Sequence, residues 1–528
     1  MDINAAYTAS NFINHFRTAF LAGKPFEDKE TGAILRSFPF QFASLPNFVS
    51  DASLIDTMRH EILYAQQKKT AETDECHKVV RFFHRRNDLH DFFQSMDLKT
   101  LRENTTTCDA DKNVRPADGG IANFPAIRVA VTLFTAQENP SPVMTLLESL
   151  TGQTIDLKQM AIAAQVYLPG SFLLCHDDAL EGRLFAWVLY VVDEEPLFGG
   201  SLQLFGAAPI MHRLYPTVVV DCVHPCRNML IFFAVSDRSF HAVEEIFGGT
   251  RVSLSGWFYA SDKVIPSDVE AICQKEVGLQ NPNEAIACVS PNIFVSELVA
   301  TNRFYKSPQV CSSVMTVLRK NRVVSLHSFF EGLCVEYSGL LNSGSWQLAG
   351  PPNYRHYYEC VGLSDKDSLI QSIISGYRSI DERCFSVVSS SIHHFMPGSY
   401  QVIHDDFPNG KEQSLDLLLF VPHKPSENPT TPKSLIKYAS LVKRKAERHI
   451  GPKACLGICK DTTASRDKIH GKVKRGSRES VEEMIEIDPT ISNTLYVICV
   501  QGNTQISVDY LKSGTSPFFM IAIRLART

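Results

Sequence analysis

An internal repeat limits the folds open to this chain more than any other feature of its sequence. Residues 167–178 align without a gap on residues 395–406, and six of the twelve positions are identical. Further along, residues 228–254 align more weakly on residues 493–519. Because similarity at a fixed separation is typical of a duplicated structural unit, the sequence predicts two related units within its 528 residues.

Residues 160–260 carry the hydrophobic pattern of a β-rich domain. Apolar runs of about four to eight residues, rich in Val, Leu, Phe and Tyr and bounded by Gly, Pro and Asp, are typical of an antiparallel sandwich or barrel. The predicted strands lie in residues 165–175, 185–192, 201–205, 217–223, 229–235 and 251–259.

Helical patterns precede the strands in both halves. The sequence predicts amphipathic helices around Phe12 and Phe16, around Met58 and Ile62, and over residues 314–341. Strands then return in residues 384–403, 415–421, 495–500 and 518–525. We therefore expect a mainly β fold with flanking helices (α+β), with one domain over residues 1–265, a linker over 266–290 and a second domain over 291–528.

A candidate metal site lies at the end of one predicted strand. His176 and Asp178 are two residues apart, so on a strand their side chains point to the same side of the sheet. His241 follows another predicted strand. Two neutral imidazoles and one carboxylate on one face of a metal, with the other positions open, form the facial triad of non-haem Fe(II) oxygenases. These three residues are the predicted metal ligands and catalytic residues.

Candidate cosubstrate ligands surround this site. Arg251 comes ten residues after His241, at the start of a predicted strand. The second carboxylate of a chelating 2-oxo acid, such as 2-oxoglutarate, requires a fixed positive fork, which an arginine supplies. Tyr167 and Tyr190 flank the metal-binding strand, and we expect their hydroxyl groups to contact the same cosubstrate.

The second copy of the repeat tests the metal-site hypothesis. It retains His404 and Asp406. The downstream segments begin at residues 228 and 493. Applying the same separation to the two site residues aligns His241 with Ile506 and Arg251 with Ser516. An isoleucine cannot ligate iron and a serine cannot neutralise a carboxylate. The sequence therefore predicts that the second domain is a non-catalytic copy.

Composition excludes several classes of protein. With 44% hydrophobic and 21% charged residues, the chain is not wholly disordered. Its net charge of −5 excludes a globally basic nucleic-acid binder. No apolar run approaches the ~20 residues of a membrane span, and no secretory signal is visible. The 14 scattered cysteines favour reduced thiols in a cytosolic or nuclear protein.

A basic stretch over residues 433–478 stands apart from the rest of the second half. It contains Lys443-Arg444-Lys445 and Lys472-Val-Lys474-Arg475. Such a run is most often a solvated loop, and a nuclear address or an RNA contact is the sharper alternative.

Motifs in both halves of the chain match one family of enzymes. The first half contains residues 173–183 (Leu-Leu-Cys-His-Asp-Asp-Ala-Leu-Glu-Gly-Arg), Leu189-Tyr190 and residues 253–258, with residues 46–48, 87–89, 94–95 and 97–98 upstream. The second half contains Trp346-x-x-x-Gly350-Pro351-Pro352-Asn353-x-Arg355-x-Tyr357. These segments resemble the eukaryotic ribosomal prolyl hydroxylases, which are 2-oxoglutarate- and Fe(II)-dependent oxygenases related to the yeast termination and polyadenylation protein.

The resemblance implies two tandem double-stranded β-helix (jelly-roll) domains, of which only the first is catalytic. It implies Fe(II) held by His176, Asp178 and His241, and 2-oxoglutarate held by Arg251, Tyr167 and Tyr190. O2 would be the oxidant and L-ascorbate a reductant, and the segment around Asn87 would lie on the substrate side. The substrate would be a proline in a small-subunit ribosomal protein, with a role in translation accuracy or termination.

Several features leave alternatives open. An insertion over residues 103–139 and the basic character of the loop at residues 433–478 depart from the family pattern. The implied partners are the ribosomal substrate, termination factors and RNA at the basic loop. No membrane association is expected. The implied compartments are the cytoplasm and nucleus. The metal ligands alone do not distinguish prolyl hydroxylation from lysyl hydroxylation or nucleic-acid demethylation. A translation-associated scaffold is the non-enzymatic alternative.

Overall fold

The structure of the chain, a computed structural model, describes residues 2–67, 83–86, 90–99, 124–136, 139–180, 182–193, 196–210, 213–260, 300–331, 341, 344–360, 368–383, 385–402, 414–422, 436–442, 480–487, 493–500 and 504–527. The chain divides into two compact units, Met1–Leu279 and Gln280–Thr528, called here the first and second unit. The predicted linker at residues 266–290 lies outside the described residues. In the part of the chain described, no helix has both the length and the apolar character needed to cross a membrane.

The first unit is an antiparallel sheet packed against helices. The helices are α1 Ala5–Thr8, α2 Ser10–Leu21, α3 Ala52–Gln67, α4 Pro125–Phe134 and α5 Pro142–Thr151. The strands are β1 Phe26–Glu27, β2 Ile34–Arg36, β3 Phe42–Leu45, β4 Phe83–Arg86, β5 His90–Ser95, β6 Ile155–Tyr167, β7 Phe172–His176, β8 Arg183–Tyr190, β9 Phe198–Gly199, β10 Leu202–Ile210, β11 Arg213–Val223, β12 Met229–Ala234, β13 His241–Val243, β14 Ile246–Gly248 and β15 Arg251–Ala260.

The main sheet of the first unit curls over on itself. Its order is β1-β2-β3-β12-β8-β15-β6-β5-β7-β13-β10-β11, with β4 paired to β5, while β9 and β14 pair separately. β5 pairs with both β6 and β7 and so joins the two halves of the sheet. Ile231 and Phe233 from one half share a buried core with Leu202 and Val243 from the other. The halves therefore enclose this core between them, as in a jelly roll.

The strand β12 shows why parts of this sheet have no polar alternation in the sequence. Ile231 and Phe233 face the core inside the curled sheet, while Leu230 and Phe232 face the core beneath the helices. The ring of Phe16 on α2 lies 6.2 Å from that of Phe232. Because successive side chains point to opposite faces, a strand buried on both sides is an uninterrupted apolar run.

The second unit is also a helix-flanked antiparallel sheet. Its helices are α6 Pro308–Asn321 and α7 Ser368–Arg378, preceded by a 3-10 turn at Arg303–Lys306. Its strands are β16 Val323–Leu326, β17 Trp346–Ala349, β18 Arg355–Cys360, β19 Phe385–Phe395, β20 Tyr400–Gln401, β21 Ser414–Pro422, β22 Ile436–Val442, β23 Ser480–Ile487, β24 Leu495–Val500, β25 Thr504–Val508 and β26 Phe518–Arg527.

The two units share one strand order. In the second unit the order is β16-β24-β21-β26-β19-β18-β20-β25-β22-β23, with β17 paired to β18. It matches the first-unit order from β3 to β11 strand for strand, and β17 corresponds to β4. The mainly β fold with flanking helices is thus as predicted.

The repeated Pro-Gly-Ser sequence forms the same turn in both units. Gly170 has φ of +81° and Gly398 has φ of +89°, a left-handed conformation that glycine adopts without strain. The Ser171 hydroxyl accepts a hydrogen bond from the Leu168 amide at 3.0 Å, and Ser399 accepts one from Met396 at 3.0 Å. The turn explains why glycine and serine are retained in both copies.

An asparagine clamp is also present in both units. Asn228 accepts a hydrogen bond from the Val49 amide and donates one to the Val49 carbonyl, each at 2.9 Å. Asn493 makes the same two bonds with Phe330, at 3.0 and 2.9 Å. Both asparagines have positive φ, at 57° and 53°. In each unit the clamp ties the segment that follows β3 or β16 to the start of the neighbouring strand, β12 or β24.

Two elements of the second unit differ from the sequence prediction. The predicted helix over residues 314–341 was wrong at residues 323–326, because α6 ends at Asn321 and strand β16 follows. The basic stretch at residues 433–478 includes strand β22, which pairs with β23 and β25, so residues 436–442 are not a loop. Residues 443–479 lie outside the described residues.

Candidate metal centre

Sheet register brings the two predicted histidine ligands together. His176 is the last residue of β7 and His241 is the first residue of β13, and the two are directly opposite in the antiparallel pair. Their ring centroids are 4.2 Å apart. Asp178 follows β7 with φ of +60°, a left-handed turn that returns its carboxylate toward the imidazoles. His176, Asp178 and His241 therefore converge at one end of the curled sheet, although His241 is distant from the other two in the sequence.

The three side chains have the geometry of a metal-ligand set. One ligand atom from each of His176, Asp178 and His241 lies within 4.8 Å of the others. The Nε2 atom of His176 lies 3.7 Å from Oδ1 of Asp178, and Nε2 of His241 lies 3.6 Å from Oδ2. Across the described residues, no other set of three or more His, Cys, Asp or Glu side chains meets this condition.

Backbone carbonyls fix the tautomer of both histidines. Nδ1 of His176 lies 2.8 Å from the Leu174 carbonyl, and Nδ1 of His241 lies 2.8 Å from the Ser239 carbonyl. A carbonyl only accepts hydrogen bonds, so each Nδ1 carries the proton and each Nε2 presents a lone pair. Two lone pairs and a carboxylate then face one another without a donor between them. A divalent cation satisfies this arrangement, and the residues present fit Fe(II).

The protonation states favour metal binding. Burial, together with the neighbouring His176, lowers the pKa of His241 to about 4. Burial acts to raise the pKa of Asp178, but the two histidines and Arg183 outweigh it and hold that pKa below its ordinary value. At neutral pH His241 is therefore neutral and Asp178 is ionised, as ligation requires.

Arg251 is buried and incompletely bonded. It is 1% exposed, and its Nη2 donates to the Tyr190 hydroxyl at 3.4 Å. Its Nε and Nη1 atoms have no hydrogen-bond partner among the described residues. Because a buried charge with few partners is costly, this guanidinium is suited to binding an anionic ligand.

The two predicted tyrosines flank this guanidinium. The Arg251 Cζ atom lies 4.6 Å from the ring centroid of Tyr167 and 4.9 Å from that of Tyr190. The Tyr167 hydroxyl is buried, and the described residues provide it with no partner. Burial raises the pKa of Tyr167 although Arg251 acts in the opposite direction. Its hydroxyl therefore stays protonated and can donate to a bound carboxylate.

Two contacts of Asp178 were not anticipated from the sequence. Arg183 Nη1 donates to Oδ1 at 2.9 Å, and Trp257 Nε1 donates to Oδ2 at 2.9 Å. Both residues lie in motifs that carried the family resemblance, but their spacing from Asp178 gives no signal of contact. It is the pairing of β8 with β15 that places them side by side.

The corresponding cosubstrate positions of the second unit are found from strand register. Tyr167 is opposite Arg251 in the β6–β15 pair, and Phe395 is opposite Phe518 in the β19–β26 pair. Since the repeat aligns Tyr167 with Phe395, the counterpart of Arg251 is Phe518. The predicted counterpart, Ser516, was wrong because the chain between β25 and β26 is two residues longer than the corresponding stretch of the first unit.

The same reasoning locates two further counterparts. Tyr190 is opposite the residue two positions after Arg251, and Phe420 is opposite the residue two positions after Phe518, so Tyr190 corresponds to Phe420. All three cosubstrate positions are phenylalanine in the second unit. Phe518 stacks on Phe395 at 5.2 Å and meets Phe420 edge-on at 6.0 Å.

The register also supports the predicted loss of one metal ligand. Val243 and Val508 pair with residues that the repeat aligns, and His241 and Ile506 each lie two positions before them. Ile506 therefore occupies the position of His241, as predicted. His404, Asp406 and the predicted substrate-side segment at Asn87 lie outside the described residues.

Comparison with known proteins is consistent with this site. Residues 162–259 match the family model of the 2OG-Fe(II) oxygenase superfamily. The chain is 26% identical over 439 residues to prolyl 3-hydroxylase OGFOD1 of Xenopus laevis, covering 73% of this chain and 74% of the relative. It is 24% identical over 461 residues to prolyl 3-hydroxylase sudestada1 of Drosophila melanogaster, covering 79% and 74%.

A third relative, prolyl 3,4-dihydroxylase OGFOD1 of Ostreococcus tauri, is 30% identical over 200 residues, covering 36% of each chain. The matched family model spans every predicted metal and cosubstrate residue of the first unit. The resemblance drawn from the sequence motifs is thus confirmed: residues 162–259 match the 2-oxoglutarate- and Fe(II)-dependent oxygenases, and the chain is similar to prolyl hydroxylases.

Proposed function

We propose that this protein hydroxylates a prolyl residue of a small-subunit ribosomal protein, using 2-oxoglutarate and O2. The observation that carries the oxygenase activity is the convergence of His176, Asp178 and His241 within 4.8 Å, beside the buried and incompletely bonded Arg251. The choice of proline is supported by relatives named prolyl hydroxylases that align over most of the chain. The ribosomal substrate is supported by the resemblance of the motifs in both halves.

The residues of the first unit have distinct roles in this reaction. His176, Asp178 and His241 would hold the iron through Nε2, a carboxylate oxygen and Nε2. When bound, Fe(II) would activate O2, so that one oxygen atom enters a C–H bond and the other enters succinate as 2-oxoglutarate loses CO2. Arg251 binds the far carboxylate of 2-oxoglutarate, assisted by the hydroxyl groups of Tyr167 and Tyr190.

The core inside the curled sheet excludes water from the cosubstrate. Tyr167 and Tyr190 belong to the apolar cluster that also contains Phe92, Ile231 and Phe233, and Phe92 stacks on Tyr167 at 4.3 Å. In such a dry site the attraction between Arg251 and a carboxylate is stronger than in water. His176 is the more exposed imidazole, with 24% of its side chain accessible, so the substrate approaches from its side.

The proposed function also has an expected cellular location and effect. We place the activity in the cytoplasm and nucleus, where ribosomal proteins are made and assembled, with L-ascorbate maintaining the reduced metal. Modification of a ribosomal protein then affects translation accuracy or termination, and termination factors are the expected further partners.

The test is turnover with ribosomal-protein peptides. Iron-loaded protein is incubated with 2-oxoglutarate and proline-containing peptides, and succinate and peptide mass are measured together. We expect succinate to rise with peptide, and fragmentation to place one added oxygen on proline. An added oxygen on lysine, or loss of a methyl group from a nucleic acid, would replace the prolyl assignment. Absence of succinate with every substrate would favour the scaffold alternative.

A further inference from the structure

The carboxylate of Asp178 is held by two donors from neighbouring strands. Its Oδ1 accepts from Arg183 on β8 and its Oδ2 accepts from Trp257 on β15, each at 2.9 Å. Only 8% of the Asp178 side chain is exposed. Each oxygen thus has one fixed donor and faces one histidine, so the carboxylate cannot rotate without breaking both bonds.

Arg183 is itself fixed in place. Its Cζ atom lies 3.7 Å from the centroid of the Trp257 ring, a cation–π contact. Its Nη1 also approaches the Asp178 carbonyl at 3.4 Å, and Nε is buried without a partner in the described part of the chain. The guanidinium therefore directs its positive charge at the Asp178 carboxylate.

At the position equivalent to Trp257, the second unit carries a different residue. Trp257 lies six positions after Arg251, so its counterpart six positions after Phe518 is Arg524. The Arg524 guanidinium is bonded by its own cross-strand neighbour, Asp416, at 2.7 and 2.8 Å. The indole N–H donor therefore occurs in the unit that retains all three ligands.

We infer that Trp257 and Arg183 are positioning residues for the metal, with separate roles. Trp257 orients the Asp178 carboxylate toward the two Nε2 atoms. Arg183 is a resident counter-ion that keeps the ligand set formed before a divalent cation arrives, because a buried carboxylate without a partner is strongly destabilising. The inference rests on the metal site of the proposed function and extends it to these two side chains.

The two roles predict opposite responses to metal. Trp257→Phe keeps the ring under Arg183 but removes the N–H, so the carboxylate is held less firmly and metal binds more weakly. Arg183→Gln removes the positive charge, so the metal-free protein is destabilised while the bound cation compensates. Metal should then stabilise Arg183→Gln more than it stabilises the wild type.

The experiment uses the full-length protein, stripped of metal and titrated with Mn(II), with free Mn(II) followed by electron paramagnetic resonance. We expect Trp257→Phe to weaken Mn(II) binding about 10-fold, the lower end of effects seen for groups that orient metal ligands. The visible spectrum of the Co(II) form should change as well. The matched control is Trp187→Phe, a buried tryptophan on the same sheet that packs on Phe134 at 4.0 Å. This control should leave metal affinity unchanged.

Thermal unfolding with and without saturating Mn(II) tests the counter-ion role. Arg183→Gln should lower the melting temperature of the metal-free protein and enlarge the shift caused by Mn(II), while Arg183→Lys should restore wild-type behaviour. Arg524→Gln breaks an arginine–aspartate pair in the second unit that includes none of the three predicted metal ligands, so its effect should be independent of Mn(II).

The outcomes separate this inference from the site itself. If wild-type binding of Mn(II) does not depend on His176, the metal site of the proposed function is wrong. If binding does depend on His176 but Trp257→Phe has the affinity of Trp187→Phe, Trp257 is not a positioning residue. If Arg183→Gln lowers the stability of both forms equally, Arg183 is not a counter-ion for the empty site.

Discussion

The two units have the same strand order but differ in what lies between the halves of the sheet. In the first unit Arg251, Tyr167 and Tyr190 bring three polar groups into the core. Two nitrogen atoms of Arg251, Nε and Nη1, have no hydrogen-bond partner among the described residues. In the second unit three phenylalanines fill the equivalent space and contact one another. The fold therefore does not require the polar groups. Their presence in the first unit, at a cost in stability, is explained by ligand binding.

What the units share is equally informative. The Pro-Gly-Ser turn and the asparagine clamp lie where the backbone adopts positive φ, and both are retained in the second unit. These features serve the architecture, whereas the residues that differ serve the chemistry. The comparison thus sorts functional from structural residues within one chain.

The largest expected effect comes from removing a metal ligand. His176→Ala or Asp178→Ala should abolish turnover of 2-oxoglutarate and reduce tightly bound Fe(II) from one equivalent to none, since two ligands do not complete a facial triad. The matched substitution His404→Ala should change neither quantity. Metal content is measured after dialysis, and turnover by succinate release. A second tight equivalent that disappears in His404→Ala would show that the second unit also binds metal.

A smaller effect is expected when a cosubstrate residue is exchanged for its counterpart. Arg251→Phe should weaken the apparent affinity for 2-oxoglutarate by roughly 2–4 kcal/mol, the usual effect of leaving one partner of a buried charge pair unpaired. Binding of Mn(II) without cosubstrate should persist. Isothermal titration with each ligand checks both expectations.

The reverse exchange provides the control for that prediction. Phe518→Arg should lower stability without creating affinity for 2-oxoglutarate, because Phe395 and Phe420 supply no hydroxyl group. Unchanged 2-oxoglutarate binding in Arg251→Phe would remove Arg251 from the site.

A moderate effect, equal in the two units, is expected from the asparagine clamps. Asn228→Gly and Asn493→Gly keep a residue that tolerates positive φ but delete two hydrogen bonds to the backbone. Each should destabilise its own unit by about 1–3 kcal/mol. Hydrogen exchange at the amides of Val49 and Phe330 measures the effect locally. A large difference between the two substitutions would mean that the clamps are not equivalent.

The smallest effect on catalysis is expected from the basic stretch after β22. Deleting residues 443–475 should leave turnover of a short peptide unchanged, because in that unit Ile506 and Phe518 replace His241 and Arg251. If it binds RNA, the deletion should weaken that binding and flatten its salt dependence. Filter binding at several salt concentrations distinguishes an RNA contact from a solvated loop.

The sequence predicts the metal ligands of the first unit because His176 and Asp178 form a local pair and His241 follows another predicted strand. His176 and Asp178 lie in the strongest part of the repeat, and Ile506 marks the missing ligand correctly. The counterpart of Arg251 was misplaced because a fixed separation cannot account for two extra residues before β26, whereas hydrogen-bonded register can. The contacts of Arg183 and Trp257 with Asp178 depend on side chains meeting across strands, which linear spacing does not encode.

The three phenylalanines of the second unit also bear on how the molecule evolves. Regaining a cosubstrate site there requires Phe395, Phe420 and Phe518 all to become polar. Any one change alone would bury a polar group among aromatic rings, at about 1–3 kcal/mol for an unsatisfied hydrogen-bonding group and more for a charge. Every single-step route back thus passes through a less stable protein that still lacks the activity. Because the aromatic packing of the second unit penalises each single reversion, random substitutions remove such a site more easily than they restore it.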